Sequence, residues 1–183
     1  KLIALLLAVF SIKFKMRICY FSIYDLTHPR NNIIIHGLEE NNINPIKCIA
    51  DGKTPFKQIK ALLKLFWNRN RFDILYVGIL NQAMMPFIKL ITKKPIISDP
   101  YISVYDSLVF DRKRYSKNSL IAKIIFWLDK YATQKADKIA LGTEDDIRYF
   151  MKLFNVKRDK FFQSTFAWIN NSLLSRSSAA SLP

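Results

Sequence analysis

Glycine is scarce in this chain, with only four among 183 residues. Glycine-rich loops let a backbone approach phosphate groups closely, and the sequence has neither the GxGxxG pattern of dinucleotide-binding folds nor the GxxxxGK[ST] pattern of P-loop proteins. The four isolated glycines therefore argue against a self-contained Rossmann dehydrogenase or a P-loop ATPase.

Metal-binding side chains are also scarce, since the chain has two histidines and two cysteines and no CxxC or HExxH pattern. The sequence thus gives no support for a metal site or for another cofactor. Cys19 and Cys48 fall in apolar segments. We expect them to be buried thiols in a reducing compartment, and a disulfide framework is not expected.

Acidic residues are outnumbered, with 14 Asp and Glu against 29 Lys and Arg, which gives a formal net charge of +15. Such an excess predicts an anionic partner, which charge alone leaves open among lipid headgroups, nucleic acid and a phosphorylated substrate. Half of the residues are hydrophobic. The length and this composition are typical of one globular domain with a core.

The first fifteen residues differ from the rest of the chain. Residues 2–12 are an apolar run that is too short to span a bilayer. Lys13 and Lys15 follow where a signal peptide would need small residues. We expect Met16 to begin the domain and residues 1–15 to be an upstream leader; an interfacial anchor and an export signal are the second and third interpretations.

Short apolar strands alternate with stretches of helical period from residue 16 to residue 168. This alternation predicts a Rossmann-like, three-layer α/β domain whose parallel sheet has about six strands. The expected strands are 17–23, 45–50, 73–77, 96–98, 137–141 and 161–166, and the expected helices are 31–41, 54–67, 82–92, 120–136 and one beginning after Thr143. Residues 101–119 are predicted to be irregular. The Ser-rich residues 169–183 are predicted to be a disordered tail or the scar of a truncation.

Polar residues follow several of the predicted strands, where the ligands of open parallel sheets bind. The candidate substrate-binding residues are Asp25, His28, Arg30, Asn31, Arg112, Thr143 and Glu144. Gly78, Asn81 and Gln82 follow the third strand. Arg30 opens a helix and could bind an anion there, or it could simply be a solvated loop residue.

Two aspartates in or near the irregular stretch are the candidate catalytic residues. Asp99 directly follows the fourth strand, and Asp106 lies further into the stretch. Carboxylates in a cleft can activate or bind a hydroxyl group, although aspartate is also common in turns.

A basic amphipathic helix is predicted to begin near residue 54. Lys53, Lys57, Lys60 and Lys64 recur four, three and four residues apart and therefore share one helical face. The other face is lined by Phe56, Ile59, Leu63, Phe66 and Trp67. A second tract, 112–138, has eight basic and two acidic residues. These patterns are typical of a protein surface that binds an anionic membrane, or of solvent-exposed helix faces that cover an ordinary core.

Several segments, in this order, resemble the amino-terminal domain of family 4 glycosyltransferases. They are 16–25 (MRICYFSIYD), 29–31 (PRN), 36–41 (HGLEEN), 73–78 (DILYVG), 94–100 (KPIISDP), 105–112 (YDSLVFDR), 135–143 (KADKIALGT) and 150–160. The resemblance extends from residue 16 to about residue 166. It implies the acceptor-side half of a two-domain GT-B enzyme that transfers a sugar from a nucleotide-sugar to a glycan or lipid-linked acceptor.

In that family most donor contacts, including a pair of glutamates seven residues apart, come from the second domain. The resemblance thus implies a chain cut off before that domain, inactive alone, that works in the cytoplasm at the inner face of the membrane. The alternative is a stand-alone basic α/β module that binds RNA or another polyanion. Nucleic acid is disfavoured because the aromatic residues fall mostly in apolar faces and not among the basic residues.

Overall fold

The computed structural model describes residues 16–24, 26–50 and 54–164. Within these residues six strands form one sheet in the order β2-β1-β3-β4-β5-β6, and every neighbouring pair is parallel. The strands are β1 (Ile18–Ser22), β2 (Ile46–Ile49), β3 (Ile74–Val77), β4 (Ile96–Ser98), β5 (Lys138–Leu141) and β6 (Phe161–Gln163). The prediction of a Rossmann-like parallel sheet is confirmed. The predictions for residues 1–15 and 169–183 lie outside the described residues.

Five helices of seven residues or more accompany the sheet in the described part of the chain. They are α1 (Pro29–Glu40), α2 (Pro55–Asn68), α3 (Met85–Ile91), α4 (Leu120–Lys135) and α5 (Glu144–Phe154). Local sequence explains several of their starts. Proline occupies the first turn of α1 and α2, where a backbone N–H has no helical partner. The Thr143 hydroxyl and the Asp146 carboxylate form the capping box of α5.

The helices cover the two faces of the sheet unequally. Buried side chains of α2, α3, α4 and α5 pack with β1, β3, β4 and β5 in one large core. On the other face, Ile34, Ile35 and Leu38 of α1 pack against Tyr20 and Tyr76. The strands β1, β3 and β4 are buried on both sides, which explains why their hydrophobic residues do not alternate with exposed polar ones. Cys19 and Cys48 are free, buried thiols of the large core.

The stretch 101–119 is more ordered than its sequence predicts. It contains a helical segment, Val104–Asp106, that continues as a π-helical turn, Ser107–Asp111. The Asp129 carboxylate of α4 accepts hydrogen bonds from the Ser103 hydroxyl and the Tyr105 N–H, both at 2.9 Å. The expectation of an irregular stretch was wrong for 104–111, because the Asp129 carboxylate, which is distant in sequence, accepts hydrogen bonds that stabilise the start of this segment.

No helix in residues 16–24, 26–50 and 54–164 is long and apolar enough to cross a membrane.

Candidate functional site

A buried ion pair connects α1 to the carboxyl end of β4. Arg30 Nε donates to Asp99 Oδ2 and Arg30 Nη2 donates to Asp99 Oδ1, both at 2.8 Å. Nη2 also donates to the Ser164 hydroxyl at 3.1 Å. Asp99 is completely buried. Both of its oxygens are engaged, so in this arrangement Asp99 holds Arg30 in place and has no oxygen directed to solvent.

Two stacked tyrosines, Tyr20 of β1 and Tyr76 of β3, extend this polar network. The Tyr76 hydroxyl donates to Asp99 Oδ2 at 3.3 Å, and the Tyr20 hydroxyl donates to Asn31 Oδ1 at 2.8 Å. Their ring centroids are 5.4 Å apart. Asn31 Nδ2 in turn donates to the Ser22 hydroxyl and to the Tyr24 carbonyl. The buried Asn31 thus ties the start of α1 to the loop that follows β1.

The electrostatics of the ion pair reflect its burial. Burial raises the pKa of the Asp99 carboxyl, and the hydrogen bonds from Arg30 act against that rise. Burial disfavours the charged guanidinium, but its hydrogen bonds to Asp99 raise the pKa of Arg30 above its ordinary value. Burial and the neighbouring Asp99 charge raise the pKa of Tyr20 and Tyr76. Both tyrosines therefore remain hydrogen-bond donors, and Arg30 keeps the charge that compensates Asp99.

Gly78, the residue directly after β3, lies against this network and leaves no room for a side chain. A Cβ atom at that position would stand 2.5 Å from Tyr20 Oη and 3.2 Å from Asn31 Oδ1. Any side chain at Gly78 would therefore push apart two buried hydrogen-bonded groups.

An open cleft of about 370 Å³ lies beside the network, and we call it the edge cleft. It is formed by loops that follow β1, β3 and β4, by the turn 107–111 and by α4. Apolar side chains dominate its lining, among them Ile23, Leu80, Ile102, Leu108, Ile125 and Leu128. Arg112, a predicted substrate-binding residue, also lines it and is exposed. The edge cleft is thus an apolar depression with one cationic group.

Two buried polar side chains, Asp129 and Gln82, line the same cleft. Asp129 Oδ2 accepts the hydrogen bonds from Ser103 and Tyr105, and Gln82 Nε2 donates to the Ile102 carbonyl at 2.9 Å. Asp129 Oδ1 and Gln82 Oε1 have no hydrogen-bond partner among the described residues. Burial raises the pKa of Asp129 to about 6. Two of the residues that line the cleft thus each have one buried acceptor oxygen without a hydrogen-bond partner in the described part of the chain.

Sequence reasoning noted Gln82 after the third strand but overlooked Asp129. A signal was present in the helical period. Asp129 shares a stripe of α4 with Ala122, Ala132 and Thr133, all of which are buried. A lone carboxylate on the buried stripe of a helix is unusual and needs polar partners.

Asp106 lines a second cleft, of about 470 Å³, on the other side of segment 104–111. Tyr105, Phe110 and Phe126 supply aromatic rings there, and Lys117 and Lys123 add positive charge. Burial and a hydrogen bond with Asp106 raise the pKa of Tyr149 to about 12. Segment 104–111 contributes different residues to the two clefts, so the predicted residues Asp106 and Arg112 line different ones.

The other predicted site residues occupy separate positions. Thr143 is engaged in the capping box of α5, and Glu144 forms hydrogen bonds of 3.0 and 2.8 Å with Arg158. His28 precedes α1, is half-buried and lies 6.0 Å from Tyr24, measured between ring centroids. Asp25 lies outside the described residues. Whether any of these side chains contacts a substrate stays a prediction.

The apolar side of α2 faces solvent in the described structure. Phe56 is 81% exposed and Trp67 is 70% exposed, and Ile59, Leu63 and Phe66 are exposed as well. Ala61 and Leu65 of α2 are buried in the core, and the half-buried Leu62 packs against it. Lys57 and Lys60 are exposed, and Lys64 is half-buried with Nζ 3.3 Å from the Ile49 carbonyl. Lys53 lies outside the described residues.

Apolar side chains are also exposed on the neighbouring helices of the same layer. Leu90 of α3 is 85% exposed, and Leu120 and Trp127 of α4 are 74% and 52% exposed. Since α3 contacts both α2 and α4, these exposed side chains lie on adjacent helices, and we call them together the apolar helix face. Several large apolar side chains exposed on adjacent helices are consistent with a binding surface.

Comparisons with known proteins support the fold. No family model matches the chain, and no curated protein matches it. Among solved structures, the chain is similar to the crystal structure of Anabaena Alr3699/HepE in complex with UDP, with a TM-score of 0.52 and 9% sequence identity. The match covers 81% of this chain and 43% of that chain, so this chain spans less than half of the HepE chain. At this identity the likeness shows a shared Rossmann-like α/β fold.

Proposed function

We propose that this domain is the acceptor-side half of a GT-B glycosyltransferase that transfers a sugar from a nucleotide-sugar to an acceptor at a membrane surface. The observation that carries the proposal is the position of the edge cleft. Strand order reverses between β1 and β3, and the loops after these two strands form part of the cleft. Ligands of open α/β sheets bind at such switch points.

The comparison with HepE supports a nucleotide-sugar as the donor. HepE has a related fold and was crystallised with UDP, the leaving group of a UDP-sugar. We place most donor contacts outside the described residues, because the glycines at 37, 78 and 142 are isolated and no loop here resembles a phosphate-binding loop. The domain would contribute the acceptor, held so that its hydroxyl meets the anomeric carbon of the donor.

Within this proposal the candidate residues have different roles. Arg112 lines the edge cleft and would bind an anionic group of the acceptor or donor. Asp99 would act through Arg30, whose position it fixes. Asp106 would bind hydroxyl groups in the second cleft, where Lys117 and Lys123 add positive charge.

A transfer assay tests the proposal. The complete protein, with any domain encoded downstream, would be incubated with radiolabelled UDP-sugars and a cell extract containing lipids and glycans. We expect label to enter one extract fraction, and Arg112→Gln to reduce the rate. Lys152→Gln, at an exposed position of α5, is the control and should transfer at the parent rate. Absence of label with every UDP-sugar tested would contradict the proposal.

The membrane part of the proposal rests on the apolar helix face. Aromatic and aliphatic side chains could enter the boundary between headgroups and acyl chains, while Lys57, Lys60 and Lys64 of α2 attract anionic headgroups. The exposure of Phe56 and Trp67 also weakens the sequence argument against RNA. A bilayer is nonetheless favoured, because the aliphatic Ile59, Leu63 and Leu90 are exposed beside the aromatic residues and offer no base-stacking surface.

Vesicle sedimentation distinguishes a membrane partner from RNA. We expect the protein to sediment with vesicles that contain phosphatidylserine and to be released as salt screens the charges. Replacing Phe56 and Trp67 by Ser should weaken sedimentation, and so should replacing Lys57 and Lys60 by Gln. A labelled RNA oligonucleotide is the comparison ligand. Binding to RNA but not to vesicles would replace the membrane proposal with the polyanion alternative.

A further inference from the structure

The second cleft, which lies between segment 104–111, α4 and α5, combines aromatic walls with cationic side chains. Its aromatic residues are Tyr105, Phe110, Phe126 and Tyr149. Phe110 and Tyr149 are 49% and 46% exposed, and Lys117 and Lys123, which line the same cleft, are exposed as well. A ligand from solvent can therefore reach both the apolar and the charged residues of this cleft.

The charge of the two lysines is not compensated locally. Neither Lys117 nor Lys123 forms an ion pair with a carboxylate in the described part of the chain. Residues 112–123, which include both lysines, contain five basic residues and no acidic one. Asp106 is the one acidic residue that lines the cleft, and it is hydrogen-bonded with Tyr149. Two cations beside a single engaged carboxylate favour an anionic ligand.

The aromatic rings of the cleft are positioned before a ligand binds. The Tyr105 ring packs edge-on against Phe110 and Phe126, with ring centroids 5.7 and 5.2 Å apart. The hydrogen bond with Asp106 orients the Tyr149 ring. Because these rings are already held, a hydrocarbon group gains apolar contacts without first ordering them.

Helix α4 connects the second cleft to the apolar helix face. Leu120 lies three residues before Lys123 and Trp127 lies four residues after it, so both are neighbours of Lys123 on the helix surface. Leu120 and Trp127 are 74% and 52% exposed. A hydrocarbon chain that lies along the apolar helix face can therefore bring a charged end group to Lys123 and to the cleft.

We infer that the second cleft binds a lipid phosphate. The phosphate group lies beside Lys117 and Lys123. The adjoining hydrocarbon packs against Phe110 and Tyr149. This inference rests on the proposed function, in which the bound lipid is the acceptor of the sugar. It narrows the acceptor from glycans and lipids in general to a lipid that carries a phosphate group.

Other ligand chemistries fit this cleft less well. A glycan carries many hydroxyl groups, and the aromatic rings and Leu153 would leave most of them without partners. A nucleotide base needs hydrogen bonds along its edge, and Asn118 is the one side-chain amide that lines the cleft. A neutral lipid would leave Lys117 and Lys123 without an anion. A lipid phosphate uses the apolar walls and the lysines together.

Three probes test the inference with the 183-residue chain. Octyl phosphate combines the two required groups, inorganic phosphate lacks the chain, and octyl glucoside lacks the charge. Their affinities would be measured near neutral pH by amide chemical-shift titration, at concentrations below those at which the octyl probes form micelles. We expect octyl phosphate to bind about tenfold more tightly than inorganic phosphate, because burial of two methylene groups supplies about that factor.

Octyl phosphate should also bind about tenfold more tightly than octyl glucoside, since its phosphate accepts hydrogen bonds from charged donors. If octyl phosphate bound no more tightly than either of the other two probes, the inference would be overturned.

A charge-matched pair of double variants locates the phosphate group. Lys117→Gln combined with Lys123→Gln should reduce the affinity for octyl phosphate to that for octyl glucoside, and should leave the affinity for octyl glucoside unchanged. Lys93→Gln combined with Lys157→Gln removes the same net charge from two exposed residues that precede β4 and β6 and line neither cleft. This control should bind octyl phosphate as the parent does. Equal affinities of the two double variants for octyl phosphate would overturn the assignment to these lysines.

A pair of phenylalanine variants locates the hydrocarbon. Phe110→Ser should weaken the binding of octyl phosphate and of octyl glucoside about equally, because the change removes apolar contacts and no charge. Phe87 is 50% exposed on α3 and lines neither cleft, so Phe87→Ser should bind both probes as the parent does. An equal loss in both variants, or no loss in Phe110→Ser, would overturn the assignment to the second cleft.

The outcomes also separate this inference from the proposed function. If the complete protein transfers sugar to an extract fraction that contains no lipid phosphate, and octyl phosphate does not bind to the chain, the inference fails and the glycosyltransferase proposal stands. If octyl phosphate binds as expected but the complete protein uses no nucleotide-sugar, the lipid-phosphate site stands and the proposed function fails.

Discussion

The ion pair between Arg30 and Asp99 offers a direct test of what these two residues do. In Arg30→Met the Asp99 carboxylate would stay fully buried and lose both 2.8 Å hydrogen bonds. Breaking a buried pair by removing one partner costs about 3–5 kcal/mol, because an uncompensated charge remains. We therefore expect the free energy of unfolding at pH 7, measured by urea denaturation, to fall by that amount.

The chain provides a matched control on its surface. Arg17 and Asp73 form the same type of two-bond pair, at 3.2 and 2.9 Å, with side chains that are 55% and 41% exposed. An exposed pair of this kind contributes at most about 1 kcal/mol, so Arg17→Met should be nearly neutral. If Arg30→Met destabilised the protein no more than Arg17→Met does, the interpretation of the Arg30–Asp99 pair as a structural element would be refuted.

The pH dependence supplies a second readout of the same variant. Burial raises the pKa of Asp99, and Arg30→Met removes the group that opposes this rise. A carboxyl whose pKa is higher in the folded than in the unfolded state destabilises the fold at high pH, and the penalty disappears as the pH falls below the unfolded value. The deficit of Arg30→Met should therefore shrink between pH 7 and about pH 4. Adding Asp99→Asn should recover much of the loss at pH 7.

Two further substitutions test the surroundings of the edge cleft. Gly78→Ala should destabilise the fold by about 1–3 kcal/mol, because the new Cβ would displace the Tyr20 hydroxyl from Asn31. Gly142→Ala, where the nearest atom would be 3.7 Å away, should change the free energy of unfolding little, and equal losses would contradict this explanation. Burial raises the pKa of Asp129 to about 6. The free energy of unfolding should therefore decrease as Asp129 ionises between about pH 4 and pH 6. We would measure the free energy of unfolding by urea denaturation at pH 4.5 and 7.5. It should decrease less between these pH values in Asp129→Asn than in the parent. Equal decreases in the two proteins would contradict the raised pKa.

The strands could be predicted from sequence because their signal is local. Each is a short apolar run bounded by polar or turn residues, and six such runs separated by helical stretches leave little choice other than a parallel sheet. The capping box of α5 is equally local, since Thr143 and Asp146 are three residues apart. Both features follow from neighbours in the sequence.

The polar pairing at the carboxyl edge depends on residues that are distant in sequence. Position after a strand indicated Arg30 and Asp99 separately, but nothing in the pattern showed that they pair with each other. The π-helical turn could not be predicted from residues 107–111 alone, because the preceding segment is held by hydrogen bonds that Ser103 and Tyr105 donate to the distant Asp129. The exposure of Phe56 and Trp67 was equally hidden, since an amphipathic pattern does not say which face is covered.

Our central proposal is that this domain binds the acceptor and that a separate domain binds the donor, and calorimetry tests it most directly. UDP and common UDP-sugars would be titrated into the 183-residue chain and into the complete protein encoded by the gene. We predict no saturable binding to the chain and clear binding, with turnover, in the complete protein, because the described residues lack a phosphate-binding loop. Saturable binding of a UDP-sugar by the chain alone, followed by its transfer or hydrolysis, would contradict the account.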